Sequence, residues 1–241
     1  MTLDIVTVPC RSDNYAYLIK GNGPEDMAVV DAPEAGPIIA ALDHHGWQPS
    51  VILLTHHHND HTAATAELVD KYGAQTVGPR AEMSKMPPLD RPVAEGDTGG
   101  ASDFIWEVIE VPGHTLGHIA FHFPRAKAVF TADSLMSLGC GRVFEGTPEM
   151  MWNSLQKLVA LPAETNVYSG HEYTSANAAF AITEDPENAD LKARIERIKR
   201  TLAAGKPTVP VTLAEELATN PFLRAHDSAQ FAEVRARKDR F

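Results

Sequence analysis

The sequence predicts a mixed α/β fold followed by an all-helical C-terminal part, on three observations. Val51-Ile-Leu-Leu54 is an unbroken apolar run that ends abruptly in Thr55-His-His-His-Asn-Asp-His61. The same pattern, an apolar strand closed by a residue of metal-ligand type, returns at His114, Asp133 and His171. Beyond Tyr173 strand signals stop and helical periodicity takes over.

Residues 4–8, 14–20 and 27–31 read as an antiparallel meander, separated by Gly21-Asn22-Gly23-Pro24 and ended by Ala32-Pro33. Asp31, at a strand end, is either a carboxylate behind the site or a cap of its own loop. Ile38, Ile39 and Leu42, closed by Gly46, form one helix, with His44 and His45 on the surface of its last turn. The run 51–54, apolar at every position, fits a strand buried on both faces. Alternate side chains of extended backbone point the same way, so His56, His58 and Asp60 can converge at its end while His57 and Asn59 face elsewhere. A helix from an N-cap at Thr62 to Gly73 then puts the cluster in a strand-to-helix loop, at the carboxyl end of a buried strand, where open α/β sheets hold their sites.

Residues 75–78 form a short strand, and the Pro-rich stretch 83–92 a surface loop. Strand 104–111 runs into the glycine-bracketed turn 112–118, and strands 119–123 and 128–132 follow, the second ending in Asp133. A helix starts with Pro148 in its first position and shows Met151, Leu155, Leu158 and Val159 on one face. Strand 166–169 ends at Gly170-His171. Helices follow over 174–183 and 188–205, from the capping box Thr212-Leu-Ala-Glu215, and over 227–238. The expected division is therefore a mixed α/β domain, 1–171, and a helical domain, 172–241.

Lys and Arg number 21 against 32 Asp and Glu, a formal charge of −11, which argues against a nucleic-acid or anionic-membrane binder. No stretch approaches the ~18 apolar residues of a membrane span, and the opening residues lack a basic segment followed by an apolar one, so a cytoplasmic protein is expected. Cys10 and Cys140 are too few for a disulfide framework; Cys140, between two glycines, reads as packing. The strand ends together offer five imidazoles and two carboxylates, enough for two metals sharing one carboxylate. Such ligands suit Zn²⁺, Fe or Mn. A loose histidine tract is the plainer alternative, opposed by the interruption at Asp60 and the apolar strand ahead. His118 reads as supporting or structural, and His122 as strand packing.

Thr55-His-His-His-Asn-Asp-His61 resembles the T-H-x-H-x-D-H signature of the metallo-β-lactamase superfamily. Pro112-Gly-His-Thr-Leu-Gly-His118, Gly139-Cys-Gly-Arg-Val-Phe-Glu-Gly-Thr147, Tyr168-Ser-Gly-His-Glu-Tyr-Thr174 and Asn220-Pro-Phe-Leu-Arg224, in this order, are similar to the glyoxalase II (hydroxyacylglutathione hydrolase) family. The resemblance implies an αββα metallo-β-lactamase-type sandwich with a C-terminal all-helical domain. It implies two divalent metal ions, Zn²⁺ favoured with Fe or Mn as alternatives: one on His56, His58 and His114, the other on Asp60, His61 and His171, with Asp133 bridging. Asp60 would also orient the attacking hydroxide. Glutathione would be held by Arg142, Tyr173 and Arg224. Phe144 stands where a tyrosine is common, and Ala225-His226-Asp227 where another basic residue is expected, which weakens the grip on the glycine carboxylate. The implied reaction is hydrolysis of S-D-lactoylglutathione by a hydroxide bridging the metals, as in methylglyoxal detoxification, in a monomer with no nucleic-acid or membrane partner. The rival is a one-iron glutathione persulfide dioxygenase, which would leave Asp60, His61 and His171 idle and the helical tail unexplained. A non-catalytic metal-binding protein is a third reading, opposed by the number of ligands, since structural zinc sites close with four.

Overall fold

The computed structural model describes residues 3–241, and the chain divides into two compact units. One holds the residues up to Glu110 together with Leu116–Phe130; the other holds Val111–Thr115 and Thr131–Phe241.

In the first unit six strands form one sheet in sequence order: β1 (Asp4–Cys10), β2 (Asn14–Lys20), β3 (Met27–Val30), β4 (Val51–Leu53), β5 (Gln75–Pro79) and β6 (Arg91–Val93). β1 to β3 pair antiparallel as the meander, and β3 to β6 pair parallel. Parallel strands need crossovers. Helix α1 (Ala35–His45) provides the first and α3 (Thr65–Tyr72) the second. Their apolar stripes, Ile38, Leu42 and Leu68, pack with Ala16, Leu18, Val29, Ile52 and Leu54 of the sheet. Leu and Ile side chains buried this completely each contribute about 1.5–3 kcal/mol. Both helices stop at a glycine in the left-handed region, Gly46 (φ +67°) and Gly73 (φ +68°). The other face of β2 is also covered. Tyr17 lies 5.2 Å from the Phe130 ring on a second antiparallel set, β7 (Thr98–Gly99), β8 (Trp106–Glu110), β9 (Ile119–Phe123) and β10 (Ala128–Ala132).

Three expectations differ from the structure. The helix after the histidine cluster does not wait for Thr62. A single turn, α2 (Asn59–Thr62), begins directly after His58, the last extended residue (φ −61°, ψ 139°). Ala32 pins this turn, donating from its N–H to the His61 carbonyl (2.7 Å) and accepting from Ala64 N–H (2.9 Å). Asp60 therefore sits on a helical turn and not on an extension of the strand alternation. Strand β6 also takes the end of the expected 83–92 loop, and strand 104–111 starts only at Trp106, after a 3₁₀ turn over Ser102–Phe104.

The second unit contains the last two residues of β10, the hairpin β11 (Leu135–Met136) and β12 (Gly139–Cys140), α4 (Pro148–Val159), β13 (Asn166–Ser169) and four helices: α5 (Thr174–Glu184), α6 (Ala189–Ala203), α7 (Leu213–Thr219) and α8 (Ser228–Asp239). Strands do not stop at Tyr173: β14 (Val211–Thr212) pairs antiparallel with β13. Two residues are too few for periodicity to reveal. The buried ends of α6 and α7 grip the hairpin. Arg194 reaches Thr219 Oγ1 (2.6 Å), Ser137 Oγ (3.0 Å) and the Glu216 carboxylate, and Glu216 accepts from Leu138 N–H (3.1 Å). Asn220 Nδ2 donates to the Gly139 carbonyl (3.0 Å). A buried ion pair stabilises only when its remaining hydrogen-bonding groups are filled; here both terminal nitrogens of Arg194 are, while its Nε has only a 3.4 Å ion-pair contact with Glu215. The hairpin so fixed leads directly to Arg142.

Candidate metal centre

In the first unit, β4 and α2 deliver His56, His58, Asp60 and His61. His56 and His61 are fully buried. Asp31, behind them, adopts the left-handed region (φ +57°), which aspartate tolerates better than most residues. Its Oδ1 accepts from Thr55 N–H (2.9 Å), and its Oδ2 accepts from Thr55 Oγ1 (2.9 Å) and His61 Nδ1 (2.7 Å). With its proton given to Asp31, the Thr55 hydroxyl accepts from His56 Nδ1 at 3.0 Å. Both imidazoles are thereby set with Nδ1 protonated and Nε2 bare, as metal-ligating histidines require. His56 Nε2 lies 3.1 Å from His58 Nδ1, and His61 Nε2 lies 3.7 Å from Asp60 Oδ2. Asn14 Nδ2 holds Asp60, donating to its carbonyl (3.0 Å) and its Oδ2 (3.1 Å). A surface recess of about 400 Å³ beside the loop is lined by His57 and Asn59 but by none of the four donors.

In the second unit the donors come from the turn around His114 and from the ends of β10 and β13. Asp133 follows Ala132, whose φ of +40° turns the chain sharply at the end of β10. Its two oxygens face two imidazoles, Oδ2 at 3.3 Å from His114 Nε2 and Oδ1 at 3.4 Å from His171 Nε2. His114 Nδ1 donates to the Arg142 carbonyl (2.8 Å), which leaves its Nε2 bare. A Cβ on Gly141 would lie 1.9 Å from the Asp133 carbonyl oxygen, so only glycine permits this approach. In tetrahedral coordination with bonds of about 2.0–2.1 Å, neighbouring donors are roughly 3.3 Å apart. The donor spacings of 3.1, 3.3, 3.4 and 3.7 Å lie near that edge, so the donors pair at distances that suit a divalent ion.

The four residues tied to glutathione by resemblance lie in the second unit. Tyr173 stacks on the His171 ring (4.6 Å, 5° between planes), and Phe144 lies 5.2 Å from the His114 ring. Both are among the exposed large hydrophobic side chains. Arg142 is exposed and gives its carbonyl to His114. Arg224 is half exposed, pairs with Asp185 (3.1 Å) and donates to the Ala218 carbonyl (3.1 Å). His118 is fully buried and lies flat on His56; His122 is buried in β9. Sequence reasoning passed over Asn14 and Glu82, whose partners lie 46 and 25 residues away. Cys140, fully buried, has its thiol pushed up to about 11 by burial, against the nearby Arg235, which fits packing and not reactivity.

The model of the metallo-beta-lactamase superfamily matches residues 12–171, and that of the hydroxyacylglutathione hydrolase C-terminus matches residues 172–241. Proteins described as hydroxyacylglutathione hydrolase from Ruegeria pomeroyi and Mesorhizobium japonicum are 54% and 48% identical over 255 aligned positions, which take in the whole of each chain. Among solved structures, ETHE1 from Myxococcus xanthus superposes with a TM-score of 0.74 at 24% identity, over 98% of this chain and 90% of that one. TTHA1623 in a di-iron-bound form gives 0.64 at 27% identity, over 90% and 98%.

Proposed function

We propose, from the premise that the chain belongs to the metallo-β-lactamase superfamily and within it to the hydroxyacylglutathione hydrolase family, that it hydrolyses S-2-hydroxyacylglutathione, chiefly S-D-lactoylglutathione. The products are glutathione and D-lactate. The observation that carries this reading is the coexistence, in one chain, of two donor sets at metal-ligand spacing and a C-terminal match over residues 172–241.

The two donor sets are proposed to close on one binuclear centre. His56, His58 and His114 would hold one ion, Asp60, His61 and His171 the other, and Asp133, with an imidazole at each oxygen, would bridge. Chain connectivity supports this: His114 is only four residues from His118, which stacks on His56 at 4.5 Å. When bound, a divalent pair supplies hydroxide at neutral pH, by lowering the pKa of water from 15.7 to about 7, and polarises the carbonyl. Water adds through its oxygen to the thioester carbon, the C–S bond breaks, and glutathione leaves as a thiolate that needs little help from an acid. Asp60, steadied by Asn14, orients the attacking oxygen. The exposed faces of Tyr173 and Phe144 and the cations Arg142 and Arg224 hold glutathione, so residues 1–171 carry the chemistry and 172–241 complete the grip. Zn²⁺ is the proposed metal, with Fe or Mn as alternatives, in a cytoplasmic monomer. No helix of the described residues is long and apolar enough to cross a membrane.

The test is hydrolysis of S-D-lactoylglutathione, followed by loss of thioester absorbance, on a sample whose metal has been counted. Turnover with about two ions per chain is expected. One iron per chain with oxygen uptake on glutathione persulfide would overturn the reading in favour of the dioxygenase.

A further inference from the structure

Glu82 ends the 3₁₀ turn Arg80–Glu82 that follows β5, and it is only 3% exposed. A buried carboxylate is costly unless donors fill it. Here Oε2 accepts from the main-chain N–H of His57 (2.8 Å) and from its Nδ1 (2.9 Å), while Oε1 accepts from Gly117 N–H (2.9 Å). One side chain thus holds two loops. The first carries His56 and His58 on either side of His57; the second carries His118 next to Gly117. The loops meet again where His118 lies on His56, ring centroids 4.5 Å apart and planes within 17°, and where Ile119 N–H donates to the Thr55 carbonyl at 3.0 Å. The fit around Glu82 is tight: a Cβ on Gly117 would lie 2.5 Å from Glu82 Cγ and 2.9 Å from Ala81 Cβ.

We infer that Glu82 is a positioning residue for the metal centre. It presets His56 and His58 by fixing the peptide of His57 between them, and it presets the back of His56 through Gly117 and the His118 ring. The ligands are then in place before a metal arrives, and the ordering cost is met during folding and not on binding. His57, whose ring lies edge-on to that of His58 (centroids 4.8 Å apart), acts as the handle by which Glu82 holds the loop.

This inference rests on the metal centre proposed above, and its test reads metal affinity instead of turnover. Glu82→Gln keeps the size of the side chain but replaces one acceptor oxygen with a donor, so it can serve His57 or Gly117 but not both. Metal-free wild type and E82Q would be titrated with Zn²⁺ against a competing chelator, and the metal-free proteins melted in parallel. The expected result is a Zn²⁺ affinity lower by about tenfold or more in E82Q, with a metal-free unfolding midpoint no more than about 4 °C below wild type. An affinity within about threefold of wild type would overturn the inference while leaving the metal centre standing. Wild type that takes up no Zn²⁺ overturns both. Should E82Q fail to fold, His57→Phe keeps the ring's bulk and its main-chain N–H but removes the Nδ1 hydrogen bond to Glu82. A fall of several-fold in its affinity supports the inference, and no change overturns it.

Discussion

The two units hold their donors in different ways. In the first, four donors lie within Thr55–His61, and side chains steady them: Asp31 sets the His56 and His61 tautomers, and Asn14 holds Asp60. In the second, donors at positions 114, 133 and 171 come from one turn and two strand ends, and the backbone steadies them. There the Arg142 carbonyl fixes His114, and the missing Cβ of Gly141 lets the chain pass Asp133. One half is set by side-chain charge and hydrogen bonding, the other by a backbone hydrogen bond and by shape. Charge-conserving and shape-conserving substitutions should therefore separate them.

The largest effect is expected from Asp133→Ala, which removes a side chain whose two oxygens face two imidazoles. Thioesterase activity should fall by at least about a hundredfold, the scale for losing one preorganised electrostatic group in an active site. Metal counting on the same sample should show fewer than two ions per chain. Retained activity would break the assignment of Asp133 as the bridge.

Gly141→Ala comes next and tests shape alone. Its Cβ meets a backbone oxygen at 1.9 Å, which no rotamer relieves. Overpacking costs about 1–3 kcal/mol, and a backbone clash belongs at the upper end. Thermal unfolding of metal-free protein reads this, and a midpoint equal to wild type would remove the basis for calling the second half shape-determined. Asp31→Asn is the counterpart in the first unit. The amide keeps the volume but cannot accept from Thr55 N–H, Thr55 Oγ1 and His61 Nδ1 together. Metal affinity should drop 10- to 100-fold, about 1.4–2.7 kcal/mol, with a smaller loss of stability than in G141A. The reverse ranking in calorimetry and metal titration would mean that the two halves are not built on different principles.

The same contrast explains what the sequence made legible. Helix ends could be read because their causes are local: Thr147, Asn188, Thr212 and Asp227 each accept a backbone N–H three residues ahead. The donor positions stood out as polar residues closing apolar strands. Hidden were the features set by residues far apart in sequence, such as Asn14 on Asp60, Glu82 on Gly117, and the bonds from Ala32 that hold the end of α2. The strained φ of Ala132 was equally silent, because alanine carries no signal for the left-handed region.

The smallest effect concerns a buried histidine outside the donor loop. His122 pairs across strands with Glu107 and Val129, and burial lowers its pKa despite the opposing pull of Glu107 at 3.6 Å. A base with a depressed folded pKa takes up its proton more readily when unfolded. Its contribution to stability is therefore complete above the unfolded value of about 6.5, and it declines as pH falls from there toward the folded value. One such proton changes stability by at most about 1.4 kcal/mol per pH unit. His122→Phe keeps the ring in the core and abolishes the titration. In denaturant unfolding of metal-free protein between pH 5 and 8, wild type should lose stability relative to H122F below about pH 6.5 and run parallel to it above. Parallel curves throughout would mean that His122 is not held neutral by burial, and that a buried histidine in this unit can carry a proton without help from the acids that steady the ligand loop.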